Sequence, residues 1–241
     1  MKSASPAERR QAKLLLPEFG AYTPGILRVE VKTAESLKAH DETWGTSDSN
    51  VWQSDYSLGH HSRKLSKVMG DIGTTRGRSD RQIMLGRVAG LLHDVGKLDE
   101  ACRIYRVKRE LTPEERAEID KHAGISGDYV LKQMSDVRPE DRIFLADVHP
   151  IVRYHHAPWL IRDPELRELG FDLKIADIFV SMMEHRHRPG LSQFQAVEAL
   201  EEVVLRMMKD ATLGKFSLEI QASMQTIMNK YGVDRNVIII K

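Results

Sequence analysis

The sequence contains only one cysteine, Cys102, among its 241 residues. A single cysteine excludes a disulfide framework and a cysteine-rich zinc site, and it suits a reducing compartment. No apolar run approaches the roughly 20 residues of a membrane-spanning helix, and the first residues lack the apolar segment of a signal peptide. We therefore expect a cytoplasmic protein that does not enter a membrane.

The sequence also lacks an excess of either charge. It has 36 Lys and Arg against 35 Asp and Glu, so the formal net charge is +1. This balance argues against a protein that mainly coats nucleic acid, which needs a basic surface. The 41% hydrophobic and 29% charged fractions are ordinary for a folded protein and allow a sizeable core in one domain with appendages.

Histidine, in contrast, is plentiful. There are ten histidines, and four of them form the doublets His60-His61 and His155-His156. In a chain with one cysteine, nitrogen and oxygen side chains must supply any metal ligands, and imidazole is the most common nitrogen ligand. The histidine pattern is therefore where we look for a functional site.

Most of the chain carries the signals of helices, and we predict an all-α fold. Ser79 is a candidate N-cap for a helix that runs to His93. Thr112 followed by Pro113 and two glutamates predicts a second helix start, with that helix reaching about Met134. Pro139 opens another helix that runs up to His155. We expect further helices over 173–185, 192–209 and 217–231.

The region before residue 57 shows a different pattern. Residues 26–31 alternate apolar and charged side chains, which predicts a short strand, and 32–57 reads as a polar loop. The apolar residues 237–240 would pair with that strand in a small two-stranded sheet. We therefore divide the chain into an N-terminal extension, 1–56, and a helical domain, 57–241.

The strongest chemical signal is the pair His93-Asp94, which directly follows the apolar residues Leu91 and Leu92. Imidazole and carboxylate groups at the end of a core helix need partners, and a metal cation can serve both. Gly96 lets the backbone turn sharply after the pair. Lys97 is then close enough to contact an anion at the metal.

Other candidate ligands lie on predicted helix faces that turn toward the core. His61 shares its face with Leu65, whereas His60 projects about 100° away, so we choose His61 as the ligand. Asp177 is a carboxylate in an otherwise apolar segment, which requires a specific reason. The remaining candidates at the core-facing ends of helices are His122, His155 and His156.

In this order, the motifs HDVGK, TPEER, KH, IVRYHH and KIADIF resemble the HD superfamily of metal-dependent phosphohydrolases. The resemblance covers residues 57–210 and is greatest to the HD-GYP branch, whose members hydrolyse cyclic di-GMP. It implies an HD-type helical bundle. Ser57 stands where members with three metals have glutamate, so two ions are expected. The branch's GYP loop is absent, because Ala157-Pro158-Trp159 follows His156.

The resemblance also implies roles for individual residues. Lys97 matches a lysine that contacts substrate phosphate, and Arg186 matches an arginine with the same role, which Arg188 could share. Asp94, with Lys97, would be catalytic. The implied metal ligands are His61, His93, Asp94, His122, His155, His156 and Asp177.

Mixed imidazole and carboxylate ligands favour two divalent transition-metal ions, with iron or manganese ahead of magnesium. Two ions bridged by Asp94 and a hydroxide would hydrolyse a nucleotide phosphodiester, and cyclic di-GMP is the first candidate substrate. Three alternatives stay open. They are a nucleotidase, a nucleic-acid-processing HD domain that binds through the basic segment 103–109, and a sensor that binds metal or nucleotide without turnover.

Overall fold

The computed structural model describes residues 24–44, 58–99, 112–183, 202–210 and 213–231, and these ranges contain helices and turns without a strand. None of these helices is long and apolar enough to span a membrane. Three 3-10 turns lie at Val95–Leu98, Pro158–Leu160 and Leu213–Phe216. The helices are α1 (Pro24–Trp44), α2 (Leu58–Thr75), α3 (Asp80–Leu92), α4 (Pro113–Asp120), α5 (His122–Met134), α6 (Pro139–Arg153), α7 (Pro164–Met183), α8 (202–209) and α9 (Ser217–Lys230).

Helices α2 and α3 form an antiparallel pair that packs closely through glycine. A Cβ at Gly90 would lie 3.0 Å from the Cα of Ser66, and a Cβ at Gly73 would lie 2.9 Å from the Ile83 side chain. These contacts join the late part of α3 to the middle of α2, and the late part of α2 to the early part of α3. The first turn of α2 therefore lies beside the end of α3.

Helices α5 and α6 form a second antiparallel pair. A Cβ at Gly127 would lie 2.8 Å from the Cβ of Arg153, so the start of α5 lies beside the end of α6. Helix α7 packs against α2, α3 and α6, and its buried Phe171 and Phe179 belong to the main hydrophobic core. The start of α2 and the end of α3 consequently lie near the start of α5 and the end of α6, in one region beside α7.

The caps of two helices confirm the sequence prediction. The Ser79 hydroxyl accepts a hydrogen bond from the Gln82 N–H, and the Gln82 side chain accepts one from the Ser79 N–H. Thr112 and Glu115 make the same reciprocal pair at the start of α4. Each capping box satisfies two backbone donors that have no partner within the helix.

Two helix boundaries differ from the prediction. The helix from Thr112 is broken at Lys121, whose N–H lies 3.3 Å from the Glu118 carbonyl in a tight turn, and α5 begins at His122. Helix α7 begins at Pro164 rather than near residue 173. The reason is that the Asp163 carboxylate accepts the Leu166 N–H and acts as an N-cap.

The predicted strand at 26–31 is wrong, because these residues lie in helix α1. Its buried residues Ile26, Val29, Thr33 and Leu37 recur every three or four positions, which is the helical period. An alternation over six residues is too short to distinguish the two-residue period of a strand from the 3.6-residue period of a helix. Residues 32–44 of the predicted loop are also helical, whereas the proposed partner strand at 237–240 and the boundary at residue 56 lie outside the described residues.

A buried carboxylate ties the α2–α3 turn to α7 and α9. Asp172 accepts hydrogen bonds from Arg76 at 2.6 Å, from Arg78 at 2.5 Å and from the Ser223 hydroxyl at 2.5 Å. Burial raises the pKa of Asp172, and the two arginines oppose that effect. The network holds the turn at the far end of the α2–α3 pair from the histidines.

We predict that Asp172→Ala lowers the free energy of unfolding by about 3–5 kcal/mol, because it leaves Arg78, which is nearly buried, without its counter-charge. Urea denaturation measures the change. The control is Glu202→Ala, which removes an exposed partner of Arg206 and should cost less than about 1 kcal/mol. Equal losses in both variants would contradict a structural role for the buried network.

Candidate metal centre

Six histidine and aspartate side chains assemble into two compact groups beside α7. Within each group, one potential ligand atom from every member lies within 4.8 Å of the others. The first group comes from α2, the end of α3 and α7, and the second from the start of α5 and the residues after α6. The members are His61, His93 and Asp177 in the first group and His122, His155 and His156 in the second.

The first group surrounds a carboxylate oxygen of Asp177. Nε2 of His61 lies 3.0 Å from Asp177 Oδ1, and Nε2 of His93 lies 3.9 Å from it. Both imidazoles are fully buried, whereas the Asp177 side chain is 22% exposed. The group is therefore reached from the side of α7.

The second group brings ring nitrogens face to face. His122 Nε2 lies 3.2 Å from His155 Nε2 and also 3.2 Å from His156 Nε2. His122 and His155 are buried, and His156 is the most open of the three. Consecutive residues 155 and 156 both contribute because α6 ends at Arg153 and the chain turns there.

Three of the histidines bind a backbone carbonyl with their other ring nitrogen. Nδ1 of His93 lies 2.9 Å from the Gly90 oxygen, Nδ1 of His122 lies 2.5 Å from that of Ile119, and Nδ1 of His155 lies 2.7 Å from that of Val152. A carbonyl only accepts, so Nδ1 of each ring carries a proton and donates it to the carbonyl. The Nε2 atoms therefore point into the site.

Asp94 lies between the two groups and contacts both. Its Oδ1 is 2.9 Å from His122 Nε2, and its Oδ2 is 3.3 Å from His93 Nε2. Burial alone would raise the pKa of Asp94, but His93, Lys97 and His122 outweigh it, and the pKa lies well below its usual range. Asp94 is therefore an ionised carboxylate with one oxygen turned toward each group.

Lys97 is held inside the site by Asp94. Its Nζ lies 2.6 Å from Asp94 Oδ2, and the residue is only 8% exposed. The 3-10 turn that carries Lys97 packs against α5, where the Gly96 N–H donates to the Ser126 hydroxyl at 2.8 Å. The ammonium group thus partly balances the charge of the central carboxylate.

The charge states of the other groups also suit a metal. Burial holds the pKa of His155 well below its usual range, and the charges of His156, His93 and His122 add to this effect. Burial, and after it the charge of His122, lowers the pKa of His156 to about 4. Burial would raise the pKa of Asp177, but the hydrogen bond and charge of His61 lower it well below the usual value. At neutral pH the imidazoles of His155 and His156 are neutral and both carboxylates are ionised.

These residues fit divalent metal ions. His93 Nε2 is buried and makes no hydrogen bond to the residues that the structure describes. In the second group, Nε2 of His122 lies 3.2 Å from Nε2 of His155 and from Nε2 of His156, so all three nitrogens could bind one cation. Neutral imidazole nitrogens and ionised carboxylates are the ligands that transition metals take.

The structure brings together all seven residues predicted as ligands. Arg186 and Arg188, predicted to bind phosphate, lie outside the described residues. Sequence reasoning missed Ser126, which gives no signal in the sequence because its partner Gly96 is 30 residues away. It also missed Lys174, whose spacing three residues before Asp177 places both on one helix face.

The HD domain family matches residues 58–182, which is more than half of the chain. The chain therefore belongs to the HD-domain family. Its fold is similar to the HD domain of the L. monocytogenes phosphodiesterase PgpH, with a TM-score of 0.49, 14% sequence identity and coverage of 71% of this chain and 89% of that chain. No curated protein sequence matches the chain significantly. HD-family membership and the two histidine-aspartate groups together support a metal-dependent phosphohydrolase.

We predict that Gly96→Ala reduces both folding stability and metal content. A Cβ at this position would lie 2.3 Å from the His122 carbonyl oxygen and 2.9 Å from Ser126, so the turn and α5 must separate. Thermal unfolding and metal analysis of the purified variant measure the two effects. The control is Gly124→Ala in α5, where a Cβ meets nothing within 4 Å. Gly124→Ala should leave stability unchanged or raise it by up to about 1 kcal/mol. A Gly96→Ala variant as stable and as rich in metal as Gly124→Ala would refute the close contact at Gly96.

We also predict that the metal-free protein loses stability as the pH falls from 6.5 toward 4. His156 has a folded pKa of about 4 against an ordinary 6.5, so in this range the unfolded chain binds more protons than the native state. Urea midpoints at several pH values measure the slope. His156→Gln should make the slope shallower. An unchanged slope in that variant would contradict a neutral His156 in the folded protein.

Proposed function

We propose that this protein is a metal-dependent phosphohydrolase that cleaves a nucleotide phosphodiester at the centre described above. The observation that carries the proposal is the position of Asp94, whose two oxygens contact His122 of one group and His93 of the other. A carboxylate in that position suits a bridge between two ions. HD-family membership supports the same class of activity.

Each ion would be held by one group together with Asp94. Two divalent ions bound there would lower the pKa of bound water and neutralise charge on a phosphoryl group. Nitrogen-rich ligands favour iron or manganese over magnesium. The ligands would be His61, His93, Asp94 and Asp177 for one ion and Asp94, His122, His155 and His156 for the other.

The chain's own residues prepare this site for an anion. The histidines carry no negative charge, and Lys97 offsets part of the charge of Asp94. Two divalent ions would then outweigh the two carboxylates and leave the centre positive. This local charge attracts phosphate although the whole chain is nearly neutral. The backbone contacts of His93, His122 and His155 hold the rings in place before any ligand arrives.

For the substrate, cyclic di-GMP is the first candidate, since the motifs resemble the HD-GYP branch. Only residues 157–163 separate His156 from α7, and this short connection includes the 3-10 turn Pro158–Leu160. A mononucleotide or another cyclic dinucleotide is the alternative. The basic segment 103–109, which would serve nucleic-acid processing, lies outside the described residues.

The test is a screen of the protein loaded separately with iron and with manganese. We expect close to two transition-metal ions per chain and hydrolysis of at least one substrate among cyclic dinucleotides, mononucleotides and a model phosphodiester. Asp94→Asn should lower metal content and reduce turnover by at least about 10³-fold, the scale of losing one strong electrostatic contribution.

The matched control is Asp136→Asn, an exposed aspartate in the connection before α6. It should keep full metal content and activity. Protein that retains no metal would refute the centre itself. Protein that holds two ions but hydrolyses none of these substrates would refute the enzyme and favour a metal-binding or nucleotide-binding sensor.

A further inference from the structure

Lys174 lies at the open edge of the metal centre, on α7 and one turn before Asp177. Its Nζ donates a hydrogen bond of 2.8 Å to the backbone oxygen of His156, and that hydrogen bond is exposed to solvent. Among the described residues this is the hydrogen bond that Lys174 makes, so two of its three N–H donors remain for a ligand. The carbonyl contact holds the ammonium group beside the second histidine group.

Lys97 and Lys174 occupy opposite environments. Lys97 is buried, and its ammonium group lies 2.6 Å from a carboxylate oxygen inside the site. Lys174 is half-buried, and its hydrogen-bond partner is an uncharged carbonyl at the surface. Burial lowers the pKa of Lys174, and the charges of Asp177 and Asp120 oppose that effect. The ammonium group of Lys174 therefore lies beside these carboxylates at the rim, with N–H donors left for the part of a substrate outside the two groups.

An aromatic ring lies next to this ammonium group. Lys174 Nζ is 5.7 Å from the centroid of the Trp159 ring, which is within cation–π distance. Trp159 is partly buried against the core, and its neighbour Leu160 is 55% exposed. Together they form an apolar surface beside Lys174 at the edge of the site.

The backbone holds this surface in place. A Cβ at Gly170 would lie 2.7 Å from Ile161 and 3.0 Å from Pro158, so the turn carrying Trp159 packs directly on α7. Lys174 follows Gly170 by one turn of the same helix. The positions of the ring and the ammonium group are therefore coupled, as a preformed binding site requires.

We propose that Lys174 and Trp159 form a second subsite, which binds the non-scissile phosphate and the base of a nucleotide substrate. The inference rests on the proposed function, because it names the part of the substrate that lies outside the metal centre. An ammonium group with free donors binds phosphate oxygens, and an aromatic face stacks on a flat base. A substrate with one phosphate and no base would gain nothing from this subsite.

The experiment measures equilibrium binding to the metal-loaded protein by calorimetry. The probes are the non-hydrolysable α,β-methylene analogue of ADP, which has a base and two phosphate groups, and inorganic phosphate, which has neither base nor second phosphate. Lys174→Met should raise the Kd of the analogue by about 10- to 100-fold, the range for one charged hydrogen bond. The Kd of inorganic phosphate should stay the same.

Three variants sharpen the result. Lys174→Arg should retain most of the affinity, and Lys132→Met, which removes an exposed lysine on α5, should change nothing. Trp159→Leu should raise the Kd of the analogue by about tenfold, which is the scale of the loss of one stacked base. It should also reduce the change in tryptophan fluorescence on binding, because the variant lacks the indole of the subsite.

The outcomes separate this inference from the proposed function. Equal affinity of wild type and Lys174→Met for the analogue would overturn the subsite even if the protein hydrolyses nucleotides. A parallel loss of inorganic phosphate binding would also overturn it, since Lys174 would then belong to the metal centre. Loss of analogue binding alone would support the subsite even if the protein proves to have no hydrolytic activity.

Discussion

The crowding of buried nitrogen and oxygen atoms in the two histidine groups is the constraint on which this structure depends. The carbonyls of Ile119 and Val152 accept from Nδ1 of His122 and His155, so the Nε2 atoms of the two rings turn toward each other and lie 3.2 Å apart. Asp94 adds an ionised carboxylate to the same space. Buried polar groups need partners, and bound cations would supply them, which would couple metal affinity to folding at this centre.

Close backbone approach makes this crowding geometrically feasible. Gly90 allows α3 to pack against the backbone of α2, and Gly96 allows the next turn to pack against the first residue of α5. Larger side chains at either position would separate the helices that carry the ligands. The buried Asp172 network stabilises the opposite end of the α2–α3 pair. Close packing of the backbones therefore holds one end of this pair, and ion pairs hold the other.

The two lysines at the site, Lys97 and Lys174, have different partners because they are buried to different extents. Lys97 forms an ion pair with the carboxylate that lies between the groups, and its charge is largely used within the protein. Lys174 donates to a carbonyl at the rim, and its charge also interacts with those of Asp177 and Asp120. A centre built in this way can bind an anion while the chain as a whole remains almost neutral. In the proposed subsite, Trp159 adds an aromatic surface beside Lys174.

Local signals in the sequence were sufficient for the helices that begin with a strong cap, such as those after Ser79 and Thr112, because capping residues act within one turn. They were insufficient at residues 26–31, where a short alternating segment fits two periods and packing against the core selected the helix. The candidate ligands and their order along the chain were also predicted from the sequence. Tertiary structure decided which imidazoles share a group, that Asp94 contacts both groups, and that Lys174 lies at the rim. These relations join residues far apart in the chain, and only helix packing sets the distances between them.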